Sequence, residues 1–170
     1  MLLPGGRWDN KRWPEENFAE LARKLTGIAD SRMVVLGSKS ERPLGDQIAA
    51  AVPGRCFNLA GQTSLDEMIE WIRISSLTIT NDTGPMHVAA ALRRPVIAVF
   101  GPTAPWNTGP YGQLDNVIQC TGLPCVPCFK SECAYREPLA CMKEIRPAIV
   151  FEKARLKLNG SPNLRVGRPV

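Results

Sequence analysis

The sequence predicts an α/β fold: a Rossmann-like parallel sheet with helices on both faces. Three observations predict it. Short apolar runs alternate with helical patterns along the chain, as βαβ units require. The run Val96-Ile97-Ala98-Val99-Phe100 is apolar at every position, as a parallel strand covered on both faces should be. The segments after Leu3, Leu36, Thr80 and Phe100 carry glycines, prolines, hydroxyls and charges, and in parallel sheets ligands bind outside the carboxyl ends of the strands.

The elements follow in order. Leu2-Leu3 reads as the end of a strand. Trp13-Pro14-Glu15-Glu16 opens a helix, because Pro is tolerated in the first turn and acids there complement the dipole. Phe18, Leu21, Ala22 and Leu25 keep helical spacing. Met33-Val34-Val35-Leu36 is a strand ended by Gly37-Ser38, and Pro43 to Ala51 is a second helix ended by Pro53-Gly54. Cys56 to Leu59 is a short strand, with Cys56 as a small core residue. Ser64-Leu65-Asp66-Glu67 is a capping box opening a helix to about Ile74, with Leu65, Met68, Ile69 and Ile72 on one face. Leu77 to Thr80 is a strand and Met86 to Leu92 an Ala-rich helix. After Phe100 comes a long Pro/Gly/Cys-rich loop, interrupted around Asn116 to Gln119. Ile149 to Leu158 is a terminal helix, and residues 159–170 read as a flexible tail.

At 170 residues the chain suits one domain, spanning residues 1–158. The start has no basic n-region and no long apolar stretch, so a cytoplasmic location is expected, with peripheral contact with an inner membrane as an added expectation. Net charge is +5, from 21 Lys and Arg against 16 Asp and Glu. That excess suits phosphate-bearing ligands or an anionic surface, but no tight basic cluster points to nucleic acid.

Four loops carry the chemistry. Asn81-Asp82-Thr83-Gly84-Pro85-Met86-His87 is a strand-to-helix turn. Thr83 and Gly84 present N–H groups at a helix N-terminus, an anion site, and His87, the only histidine, follows in the first turn. The plainer reading is a cap at Asp82 or Thr83 with a buried histidine. Gly101-Pro102-Thr103 forms a stiff turn over the same strand ends. In Gly37-Ser38-Lys39-Ser40-Glu41 the acid is placed to reach a ribose diol, though Glu41 alone reads more simply as a solvated loop acid. Gly5, Gly6, Lys11 and Arg12 precede the first helix and suit a diphosphate, with a surface basic pair as the plain alternative. No Ser-His-Asp order or H-E-x-x-H motif is present.

Lys11-Arg12-Trp13-Pro14, Gly37-Ser38, the Asn81 to His87 segment with Ala89-Ala90-Ala91, and Phe100-Gly101-Pro102-Thr103 together resemble the ADP-heptose:lipopolysaccharide heptosyltransferase family, glycosyltransferase family 9. The resemblance covers about residues 1–158. It implies the C-terminal, donor-binding half of a GT-B glycosyltransferase, with the N-terminal acceptor domain absent from this chain. It implies an ADP-heptose or similar nucleotide-sugar donor and a lipopolysaccharide or related glycan acceptor reached through the other domain. By the same resemblance Lys11 contacts donor phosphate, Glu41 approaches the ribose, and Asp82, Thr83, Gly84 and His87 hold sugar and pyrophosphate. Gly5, Gly6, Gly101 and Thr103 are added as donor-loop candidates. Transfer is implied to be inverting and without metal or other cofactor. No catalytic residue is assigned, since the base is expected in the N-terminal half. The alternatives are a catalytically incomplete nucleotide-binding fragment and a Cys-rich metal-binding protein.

Five cysteines crowd into residues 120–141. Cys125, Cys128, Cys133 and Cys141 have the makings of a four-thiolate zinc site, and Cys120, Cys125 and Cys128 the spacing of an iron–sulfur loop. Two clean C-x2-C pairs are lacking, so free thiols in a surface loop are the preferred reading and no metal is expected.

Overall fold

The structure, a computed structural model, describes residues 1–28 and 31–159. The predicted tail beyond Asn159 lies outside the described residues. Six parallel strands form one sheet. They are β1 (Leu2–Leu3), β2 (Met33–Val35), β3 (Cys56–Asn58), β4 (Thr78–Asn81), β5 (Val96–Phe100) and β6 (Val117–Gln119), in the order β3-β2-β1-β4-β5-β6. The order runs outward in both directions from the β1/β4 pair, so a crevice opens between the loops that leave those two strands.

Pattern and packing agree along β5. All five residues are buried. Ile97 and Val99 join the core on one face, while Val96, Ala98 and Phe100 join the core on the other, as the two-residue period of a strand dictates. Helices α1 (Glu15–Leu25) and α2 (Arg42–Ala50) cover the first face, with α7 (Pro147–Asn159) packed on α1. Helices α3 (Leu65–Ile74) and α4 (Gly84–Ala91) cover the second. Phe18, Leu21, Ile48 and Val150 are wholly buried, each burial stabilising the fold by roughly 1.5–3 kcal/mol. Trp13 staples the start of α1 to the core, edge-on to Phe18 at 4.9 Å, and its indole N–H donates to Ile145 O at 2.8 Å.

Several expectations shift. The last helix starts at Pro147, two residues early, and the interruption at Asn116–Gln119 is the edge strand β6. Two one-turn helices, α5 (Pro105–Thr108) and α6 (Ala140–Lys143), interrupt the long loop. Leu65 does not share the core face of α3. It is 67% exposed, whereas Ile72 is buried, because the first turn of α3 projects past the sheet toward the strand ends. Among the described residues no helix is long and apolar enough to cross a membrane.

Candidate functional site

A cleft of about 720 Å³ opens at the carboxyl ends of β1, β2 and β4. That size lies within the range of small-ligand sites. Its walls come from the loops after those strands and from the start of α3.

The loop after β1 supplies Gly5, Gly6, Arg7, Trp8, Lys11 and Arg12. A short 3-10 turn, Asp9–Lys11, lifts Lys11 over the cleft. Its ammonium lies 4.8 Å from the Trp8 ring centre and pairs with Asp82 Oδ2 at 2.7 Å. Thr103 Oγ1 donates to the same oxygen at 2.7 Å. Asp82 and Thr103 are both buried. The pair therefore holds a cation at the cleft wall with little side-chain freedom left to lose. Arg12 donates through Nε to Gly6 O at 2.8 Å and pairs with Asp9 at 2.9 Å, fixing the glycine turn from behind. Arg7 is exposed at the cleft mouth.

The loop after β4 is set by Asn81, which is fully buried. Its amide donates to Pro4 O at 2.7 Å and Gly5 O at 3.0 Å, and its carbonyl accepts from Trp13 N at 3.1 Å. One side chain thereby locks β4, the glycine turn and the start of α1 together. Thr83 then caps α4 from an extended conformation, with no side-chain bond back to the helix. The N-terminus of α4 is left to the cleft, where its partial positive charge favours an anion. A Cβ at Gly84 would meet nothing within 4 Å, so the space in front of it is open.

The loop after β2 supplies Glu41. Its Oε1 accepts from Gly6 N at 3.1 Å, and its Oε2 accepts from Ser38 N at 2.7 Å and Ser38 Oγ at 2.9 Å. A Cβ at Gly5 would run into this carboxylate, and one at Gly37 would come within 2.9 Å of it. A side chain at either glycine would force the Glu41 carboxylate to shift from its three hydrogen bonds. Three of roughly four acceptor positions on Glu41 are taken, which leaves room for about one more donor.

The structure thus brings Gly5, Gly6, Lys11, Glu41, Asp82, Thr83 and Gly84 to one cleft. Gly101 and Thr103 stand behind it, where Gln119 Nε2 donates to both carbonyls, at 3.0 and 2.7 Å. His87 is exposed on α4 and is not among the residues lining the cleft. Sequence reasoning gave no role to Asn81, Arg7 or Trp8, and assigned Leu65 to the core although it lines the cleft; Met68 packs against the core as expected and also lines the cleft. The available signal for Asn81 was an amide closing a strand that the buried Thr78, Ile79 and Thr80 run into the core. None existed for Leu65, whose spacing is that of a core residue.

Cys56 and Cys141 are buried, and burial, the largest cause in each case, pushes both thiols up to about 11. Among the described residues no group of three or more His, Cys, Asp or Glu stands arranged to hold a metal ion.

The family model for glycosyltransferase family 9 (heptosyltransferase) matches residues 1–138. Lipopolysaccharide heptosyltransferase 2 of Escherichia coli K12 is 43% identical over 114 residues, covering 64% of this chain and 32% of that protein. Lipopolysaccharide heptosyltransferase 1 of Pseudomonas aeruginosa is 34% identical over 178 residues, covering 97% of this chain and 49% of that protein. The solved E. coli ADP-heptose LPS heptosyltransferase II superposes with a TM-score of 0.76 at 34% identity, over 93% of this chain and 45% of that one. The E. coli heptosyltransferase WaaC, solved with ADP, superposes with a TM-score of 0.69 at 25% identity, over 92% and 43%. The chain spans about a third to a half of the length of the relatives it matches.

Proposed function

Because the chain belongs to glycosyltransferase family 9, the heptosyltransferase family, we propose that its cleft binds an ADP-sugar such as ADP-heptose and serves as the donor half of a glycosyl transfer. One observation carries this reading. Lys11, the open N-terminus of α4 and the glycine turn of Gly5 and Gly6 converge on one crevice at the point where the strand order reverses.

The chemistry follows from the charges. The diphosphate lies against Lys11 and the N–H groups at Thr83 and Gly84, with Arg7 at the mouth. Glu41 keeps about one acceptor position for a ribose hydroxyl. Asp82 orients Lys11 rather than opposing the phosphates, since its Oδ2 is committed to Lys11 and Thr103. An acceptor hydroxyl attacks the anomeric carbon from the face opposite the leaving group, with inversion, and ADP departs. Lys11 and the helix terminus stabilise the charge that grows on the departing phosphate, a task that needs no metal. The acceptor is a lipopolysaccharide core or related glycan, and the reaction takes place on the cytoplasmic side, in peripheral contact with the inner membrane. The net charge of +5 suits that anionic surface.

Calorimetric titration with ADP, UDP and GDP tests the donor. ADP is expected to bind selectively. Lys11→Ala is expected to weaken it by about 1.5–3 kcal/mol, roughly 10- to 150-fold, the range for a hydrogen bond to a charged group. Equal affinity for all three nucleotides, or unchanged binding by the variant, would sink the reading. A second reading, binding without turnover by this chain alone, is favoured by the share of its relatives that the chain spans. Transfer of labelled sugar by the isolated chain would exclude it.

A further inference from the structure

Lysine is a point charge on a flexible four-carbon stem, so its surroundings must set its aim at a phosphate. Lys11 is bonded to Asp82, and Asp82 is bonded to Thr103, whose hydroxyl donates to the same oxygen at 2.7 Å. Thr103 lies behind the cleft and is not among the residues that line it. Both ends of Thr103 are fixed, because its carbonyl accepts from Gln119 Nε2 at 2.7 Å. Gly101 O accepts from the same amide at 3.0 Å, and a Cβ at Gly101 would run into the Met142 side chain of α6. The 101–103 turn is thus hung on β6 and packed against α6.

Two neighbouring residues tie the arm that carries Thr103 to the arm that carries Lys11. Phe129 N donates to Pro102 O at 2.8 Å, and Lys130 O accepts from the Asn10 side-chain amide at 2.7 Å. Asn10 is 4% exposed and directly precedes Lys11. Phe129 adopts φ +56 at this junction. A bulky residue stays in the left-handed region only where its surroundings over-determine it. One dipeptide therefore spaces both arms.

We infer that Thr103 is a positioning residue for the phosphate grip. It acts through Asp82 to hold the Lys11 ammonium at one place on the cleft wall, and the Phe129–Pro102 and Asn10–Lys130 bonds fix the spacing over which it does so. A lysine left free would lose rotamer freedom on meeting a phosphate, and that loss counts against binding. The brace removes the freedom beforehand. Without the Thr103 hydroxyl the Asp82 carboxylate is free to turn, and the ammonium turns with it. The effect on diphosphate affinity rests on the donor reading above; the brace itself is independent of it.

Two readouts on the full chain test the role of Thr103. The first is nitrogen–proton NMR of the lysine ammonium groups, with the Lys11 signal identified by its loss in Lys11→Ala. The bond to Asp82 slows exchange with water, so the signal is expected in the unaltered chain and in Thr103→Ser, and is expected to broaden away in Thr103→Val. The second is calorimetry with ADP. Thr103→Val is expected to weaken binding by about 3- to 10-fold, Thr103→Ser to stay within about twofold, and Thr103→Val to add nothing further in a Lys11→Ala background, as for members of one hydrogen-bonded network. Three results overturn the proposal and leave the donor reading intact: no Lys11 signal in the unaltered chain, an unchanged signal in folded Thr103→Val, or the same loss of affinity in both backgrounds. If the unaltered chain binds no ADP, the donor reading falls and the ammonium signal decides the proposal alone. Should Thr103→Val not fold, Asn10→Ala takes its place. It removes the far bond of the brace and leaves the carbonyl of exposed Lys130 to water. The same broadening is expected there, and an unchanged signal overturns the proposal.

Discussion

Glu41 shows how much one carboxylate can organise. It accepts from Gly6 and Ser38 and lies so close to Gly5 that no side chain fits there. Gly5→Ala must displace the carboxylate or the turn. The expected cost is about 1–3 kcal/mol, as for overpacking elsewhere, with a loss of ADP affinity. In a Glu41→Ala background the same substitution should cost much less, a non-additivity that a denaturant double-mutant cycle reads directly. Additive losses would show that the two residues do not share the clasp. Part of this was readable in advance: Ser38 and Glu41 have the same S-x-x-E spacing as Ser64 and Glu67. The partnership with Gly5 was not, because 36 residues separate them and only β1/β2 pairing brings them together. Asn81 teaches the same lesson, since its partners Pro4, Gly5 and Trp13 come from another strand's loop.

Elements aim the site. The capping box that opens α3 is present as its motif requires: Ser64 N donates to Glu67 Oε2 at 2.7 Å and Glu67 N to Ser64 Oγ at 3.2 Å. Ser64→Ala should lower stability by about 1 kcal/mol. The bonds from Ser64, backbone first and then side chain, hold the Glu67 carboxyl below the usual glutamate range. A depressed folded value means that the contribution is present at neutral pH and is lost as pH falls through that lowered value. The melting temperature of Glu67→Gln should therefore lie below that of the unaltered chain at neutral pH and converge with it on acidification. A gap that persists in acid would show that the carboxylate is not the source. Helix α4 is aimed differently: no side chain closes its N-terminus, and that gap faces the cleft. Strong periodic elements were legible because their burial follows their spacing. Edge strand β6, three residues long and only half-buried, has too few periods to announce itself.

For the molecule as a whole, binding and stability are linked. A ligand held only by the folded cleft adds about 2.7 kcal/mol at one hundred times its Kd. At about 2–4 °C per kcal/mol for a chain of this size, ADP should raise the melting temperature by roughly 5–11 °C. UDP and GDP at the same concentration should raise it less. Equal shifts from all three would show that the cleft reads the diphosphate and ignores the base. The stabilisation should also be largest where β1 meets β4, since the cleft straddles that junction.

Composition, periodicity and turn chemistry were enough to determine a parallel α/β sheet, its main strands and helices, and the loops that carry the charged and glycine residues. These are local properties, governed by spacing along the chain. Only the tertiary structure decided which of those residues meet. It put Asp82 beneath Lys11, Glu41 against Gly5, Leu65 at the cleft rather than in the core, His87 outside the cleft, and four cysteines around one cavity with Asn10. Such meetings depend on strand order and crossover geometry, which bring residues dozens of positions apart within hydrogen-bond reach and leave no trace in local sequence spacing.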